Sequence, residues 1–266
     1  MSFQKDKLNS HFKAFENIWK GGYFEGNPLD PLGPSKYRRI GYISLIHAIY
    51  IVCIKPYVHP DTVVLEIGPG RGAWTKTMLQ AKEIWCLDAK SREGNQIDQY
   101  LGYPENLNYF QVNDFSCKML PNNTVTYMFS YGCLCHVPWT GVQQYAANLF
   151  EKLKSGAHAF WMVADYDKRN HVSQEFSKYD IFARTLPPKI FRILEWVNKK
   201  KENRLLGPGT ESMLDKNEDQ EYLEPGRWYH SGASRTAELL GNIGYQVISE
   251  DIGLVPRDVI IHFFKP

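Results

Sequence analysis

The chain has 266 residues, 43% of them hydrophobic, which is enough for one large domain with a substantial core. With 31 basic and 29 acidic residues the net charge is +2, a balance that gives no support for a nucleic-acid-binding surface. The five cysteines, Cys53, Cys86, Cys117, Cys133 and Cys135, are odd in number, so no disulfide framework is expected. Cys133 and Cys135 lack the spacing of a zinc knuckle. Cys86 and Cys133 fall in apolar, strand-like segments and read as buried thiols, which fits a reducing, cytoplasmic setting.

The polar, charged start MSFQKDKLNSHFKAFENIWKGG is not a signal peptide. Residues 21–39, GGYFEGNPLDPLGPSKYRR, combine Gly and Pro with more large side chains than a plain linker carries. We expect a strap over a pocket, with Tyr23, Tyr37 and Arg38 as acceptor contacts; a purely structural strap is the alternative. The apolar run Ile40–Ile54 is short for a bilayer span and contains His47, so a helix buried against the domain is expected, with no membrane partner. Residues 1–60 thus form a helical and strap segment preceding a domain of residues 61–266.

From residue 61, β-rich runs alternate with helical ones. Strands are expected at Val63–Ile67, Ile84–Leu87, Leu107–Val112, Val125–Tyr131 and Ala157–Val163, the last reached through a Ser155-Gly156 turn. Helices are expected from Gly72 to Leu79 and from Gln143 to Leu153. This rhythm predicts an α/β fold with a mostly parallel sheet covered on both faces. It breaks at 166–230, read as a helical insertion with segments near 171–184 and 188–204. It resumes with a helix at Ser234–Ile243, capped by Ser231 or Ser234, and with strands Tyr245–Ser249 and Val259–Phe264. The link between those two strands is too short for a parallel crossover, so they pair antiparallel.

The stretch EIGPGRGAW, Glu66–Trp74, places three glycines within five positions behind a strand. Either the turn is simply tight, or the backbone passes close to a bound molecule. Asp88 lies 20 residues past Gly68 at the end of the second strand, where its carboxylate can accept both hydroxyls of a ribose. Together these features indicate an adenosine-containing ligand. The letters also satisfy a dinucleotide fingerprint, but Glu66 disfavours a pyrophosphate and suits a ligand with an amino group. Asp114 is placed to accept from an adenine amine, and Phe115 to cover the ring.

On E-I-G-P-G-R-G at 66–72, Asp88, N-D-F at 113–115 and the strand from Thr126 to Gly132, the chain resembles the class I S-adenosylmethionine-dependent methyltransferases, over roughly residues 61–165 and 231–266. The resemblance implies a Rossmann-like seven-stranded sheet with an antiparallel last strand. It implies S-adenosylmethionine as cofactor and S-adenosylhomocysteine as product. It implies that Gly68, Gly70 and Gly72 pass under the methionine part, Glu66 holds that part, Asp88 takes the ribose and Asp114 the adenine. Trp74, Phe115 and Ser130 complete the expected cofactor contacts.

A hydroxyl acceptor needs its proton removed. His136, leaving the fourth strand, is the candidate base, with a packing or capping histidine as the plain alternative. Asp165, leaving the fifth strand, is the second catalytic candidate; Asp167, Trp228 and His230 are candidate acceptor contacts. Asp167 with His171 also makes a divalent metal conceivable, though no metal ligand set is assigned. The expected acceptor is a small molecule or glycan hydroxyl; the alternatives are N-methylation of a small metabolite and a nicotinamide-linked oxidoreductase.

Overall fold

A computed structural model describes residue 12 and residues 19–32, 44–171 and 228–266. Seven strands form one sheet: β1 Val63–Ile67, β2 Glu83–Asp88, β3 Leu107–Gln111, β4 Val125–Ser130, β5 Leu153–Ala164, β6 Gln246–Ser249 and β7 Asp258–Phe264. Their order is β3-β2-β1-β4-β5-β7-β6. All pairings from β3 across to β5 are parallel; β7 runs antiparallel to both β5 and β6. The order reverses between β1 and β4, and a crevice opens there beyond the carboxyl ends of the strands.

Every residue of β1 is buried, as expected of a central strand covered on both faces. Alternation along it separates two cores. Leu65 and Ile67 join a core with Met128, Trp161 and the apolar face of helix α3, Trp139–Phe150. Val64 joins the opposite core, with Ile49, Cys53 and Ile54. Those three come from α1, Leu45–Ile49, and the π-helical turn Tyr50–Ile54 that continues it. The Tyr127 hydroxyl donates to the Cys53 carbonyl (2.7 Å), fastening this segment to β4. Its outer face, Leu45, Ile51 and Val52, is exposed, so the apolar run is only half buried. Helix α2 is Ile97–Leu101 and α4 is Ala233–Ile243. No helix among the described residues is long and apolar enough to cross a membrane.

Three local expectations are corrected. After Gly72 the chain forms turns and a single 3-10 turn, Thr75–Met78, in place of an α-helix. The Thr77 hydroxyl donates to the Trp74 carbonyl (2.7 Å) and that of Thr75 to Glu66 (2.6 Å), side-chain bonds that compete with helix. The Ser155-Gly156 turn is absorbed into β5, which starts at Leu153. Helix α4 has Gly232 at its N-cap, and Asp165 does the capping that a serine was expected to do: its Oδ2 accepts the Ala233 N–H (2.9 Å).

Of the insertion, residues 166–171 are helical, and 228–230 return to the tip of β5. There the Ser231 and Gly232 N–H groups both donate to the Ala164 carbonyl (3.1 Å each). The helical segments expected near 171–184 and 188–204 lie, beyond residue 171, outside the described residues, as do Tyr37 and Arg38.

Candidate active site

A cavity of about 780 Å³, part of it open to solvent, sits at the β1/β4 reversal. Its floor is apolar: Ile67, Leu87, Phe115, Val137 and Tyr145, with Phe12 packed on Phe115 at 4.8 Å between ring centroids. Its polar edge is Asp88, with Lys90 and Asn95 beside it, and its roof is Trp19 and Tyr23.

Asp88 is surrounded by protein, yet its carboxylate is reachable from the cavity. Oδ1 accepts the Lys90 N–H (2.8 Å) and Oδ2 the Gly70 N–H (3.2 Å), with the Asn95 side chain as a further partner of the carboxylate. Burial raises its pKa above the ordinary carboxylate value, and the two N–H bonds oppose that shift. The turn between β1 and the strap thus fixes one carboxylate at the edge of an apolar slot. The arrangement is suited to a diol attached to a flat ring.

The glycines have separate reasons, and packing within the protein accounts for each. All three have left-handed backbone, and a Cβ on Gly68 would stand 2.3 Å from the Cys133 Cβ across the β1/β4 reversal. On Gly70 it would meet the Tyr23 carbonyl at 2.7 Å, and on Gly72 the Ile97 side chain at 2.9 Å. Gly68 and Gly70 line the cavity; Gly72 is not among its lining residues and serves the packing of α2.

Of Glu66, Asp88 and Asp114, Asp88 alone lines the cavity, although Glu66 lies near enough to feel the charge of Asp88. The pleat turns Glu66 to the same face as Val64, away from Leu65 and Ile67. There Glu66 is 1% exposed, accepts from the Thr75 hydroxyl (2.6 Å) and lies 3.7 Å from the Cys86 thiol. Burial pushes its carboxyl up to about 7 against the Thr75 hydrogen bond. Asp114 closes a turn, its Oδ1 accepting the Ser116 N–H (2.8 Å), and is absent from the lining, while its neighbour Phe115 is part of it. Ser130 is buried and donates to the Ile67 carbonyl (3.0 Å), tying β4 to β1 rather than facing the cavity. Trp74 is buried in the second core against Phe129 and Tyr131.

Among the acceptor and catalytic candidates, His136 and Tyr23 line the cavity. His136 ends a 3-10 turn, Leu134–His136, and its ring lies between Trp19 (5.5 Å) and Trp228 (5.4 Å). Trp228 is fixed by the Arg257 guanidinium, 3.3 Å above its ring. Asp165 is a cap: besides Ala233 it accepts the Lys168 N–H (2.9 Å), so both oxygens are engaged by backbone. His230 is likewise structural, its Nδ1 accepting the Tyr166 N–H (3.0 Å). Asp167 and His171 are exposed.

Arg71 makes contacts that sequence reasoning missed. The Arg71 Nε donates to the Gly21 carbonyl (2.6 Å) and its backbone N–H to the Tyr23 carbonyl (3.0 Å), laying residues 21–23 across the glycine turn. Neither contact is local, so no spacing rule finds it. The Lys90 ammonium adds a bond to the Trp19 carbonyl (3.1 Å).

No family model and no curated protein sequence matches the chain. Solved structures do. Geranyl diphosphate C-methyltransferase from Streptomyces coelicolor A3(2), in complex with Mg2+, geranyl diphosphate and S-adenosyl-L-homocysteine, is 11% identical with a TM-score of 0.53, over 100% of this chain and 98% of that one. A protein of Listeria monocytogenes assigned to the S-adenosylmethionine-dependent methyltransferases is 15% identical with a TM-score of 0.53, over 84% of this chain and 98% of that one. Magnesium protoporphyrin IX methyltransferase from Synechocystis PCC 6803, with bound S-adenosylhomocysteine, is 12% identical with a TM-score of 0.50, over 100% and 99%. At this level of identity the likeness establishes the fold, a Rossmann-like α/β sheet of the methyltransferase type.

Proposed function

We propose that the chain is an S-adenosylmethionine-dependent methyltransferase acting on an enclosed small acceptor, with a hydroxyl of a sugar or similar polar molecule as the methylated group. The observation that carries the reading is Asp88, a carboxylate open to an apolar slot at the strand-order reversal. Asp88 would hold the ribose hydroxyls, Phe115, Val137 and Tyr145 the adenine, and the turn at Gly68 and Gly70 the amino-acid part. The cofactor, when bound, supplies a methyl group activated on a sulfonium. The residues then have to orient the acceptor, exclude water and take up a proton.

His136 is the candidate base. It lines the cavity, and the flanking rings of Trp19 and Trp228 suit the apolar faces of a sugar. Against a dinucleotide stands the turn itself. The chain beyond it forms no α-helix whose N-terminus would receive a pyrophosphate.

The test is calorimetric titration with S-adenosylmethionine and S-adenosylhomocysteine, with NAD as control. Saturable binding of the first two and none of NAD is expected; the reverse pattern ends the proposal. An acceptor screen read by homocysteine release follows. In that assay His136→Ala should keep its affinity for S-adenosylhomocysteine and slow transfer by roughly a hundredfold; unchanged turnover removes His136 as base.

A further inference from the structure

Glu25 is in an unusual position. It lies in the strap and does not itself line the cavity, but its Oε1 accepts the hydroxyl of Tyr23, which does (3.1 Å). The same oxygen is 3.8 Å from where a side chain on the cavity-lining Gly132 would begin. Its other oxygen, Oε2, is buried and has no hydrogen-bond partner. The nearby cation answers it only from a distance: Arg257 bonds Asp258 at 3.0 Å and lies on the Trp228 ring. A buried carboxylate in that state requires either a proton or a counter-charge.

We propose that Glu25 is the charge selector of the cavity: it ionises when a positively charged sulfonium enters beside it and holds a proton when the ligand is the neutral thioether. This rests on the S-adenosylmethionine reading and extends it to a mechanism for favouring cofactor over product. Several groups face the carboxyl. Tyr23 comes from the strap, Trp74 from the loop after β1, Tyr131 and Cys135 from the segment after β4, and Arg257 and Asp258 from the start of β7. Burial raises the Glu25 carboxyl to about 7; the Tyr23 hydrogen bond, the nearby Trp74 indole and the charge of Arg257 pull it back, and Asp258 pushes it further up. The group therefore stands near half-ionised at neutral pH, where a ligand's charge decides its state.

The experiment is calorimetry on the full chain with S-adenosylmethionine and S-adenosylhomocysteine from pH 6 to 8, in two buffers of different ionisation enthalpy. For the wild type, S-adenosylmethionine should release up to about one proton near pH 6.5, whereas S-adenosylhomocysteine should release none and take protons up toward pH 8. The preference for the sulfonium should grow by about tenfold to a hundredfold across the range. Glu25→Gln should abolish both effects while retaining affinity for S-adenosylhomocysteine, and Glu25→Asp should restore them in part. Equal proton release by the two ligands, or a Gln variant that weakens both equally, overturns the proposal. If neither ligand binds the wild type, the S-adenosylmethionine reading itself has failed, and this inference falls with it.

Discussion

Asp88 does two jobs with one carboxylate. It accepts two backbone N–H groups that shape the turn and lines the slot. Asp88→Asn keeps the shape and removes the charge. We expect it to weaken S-adenosylhomocysteine binding by about 1–3 kcal/mol, the order for losing a charged hydrogen-bond partner. Calorimetry decides; an unchanged affinity excludes Asp88 from the ligand site. Gly68 tests packing instead. With φ at +74° and a Cβ position 2.3 Å from the Cys133 Cβ, Gly68→Ala forces β1 and β4 apart at their tips. A loss of more than about 2 kcal/mol in urea unfolding is expected, from left-handed strain plus overpacking.

Among the elements, the strap is tied to the glycine turn through Arg71, while Lys90 and His47 hold it at Trp19 and Pro28. Arg71→Met removes the guanidinium bond to Gly21 but keeps the backbone bond to Tyr23. The strap should then open more readily. Limited proteolysis should cut within 19–32 sooner, and S-adenosylhomocysteine should dissociate several-fold faster in stopped-flow measurements. A rate unchanged from wild type would show that the strap is no part of the ligand site. Asp165 makes the complementary case. As a cap for two helical starts it should cost about 1–2 kcal/mol of stability when replaced by Ala. That loss should appear in thermal melts, with ligand affinity retained. The capping role was not legible because its partner, Ala233, is 68 residues away. The strands, in contrast, were read closely, because apolar runs between turn residues report local periodicity.

For the molecule as a whole, stability depends on buried ionisable groups of opposite tendency. Burial raises Glu66 and Glu25 from 4.5 to about 7 and Asp258 from 3.8 to about 6. Their contribution is therefore full below the ordinary values and is lost as pH rises through 6 to 7. Burial lowers His262 from 6.5 to about 4, with His158 beside it adding to the shift, so its contribution is full above 6.5 and is lost as pH falls through 4. The three carboxyls outnumber the histidine, so the ligand-free protein should lose stability as pH rises from about 4.5 to 7, and little more above that. Glu66→Gln should flatten that slope in urea unfolding, whereas His262→Asn, which removes the opposing histidine, should steepen it. By itself the sequence determined the class of fold, the β1 turn and the place of Asp88, since strand periodicity, glycine and a fixed interval are local properties of a chain. Only the tertiary structure decided which carboxylates share a cavity. A pleat sends adjacent side chains to opposite faces, which keeps Glu66 out of the lining, and a distant strap brought in Tyr23, with Glu25 behind its hydroxyl. Those contacts depend on packing across the sheet, which no spacing along the chain encodes.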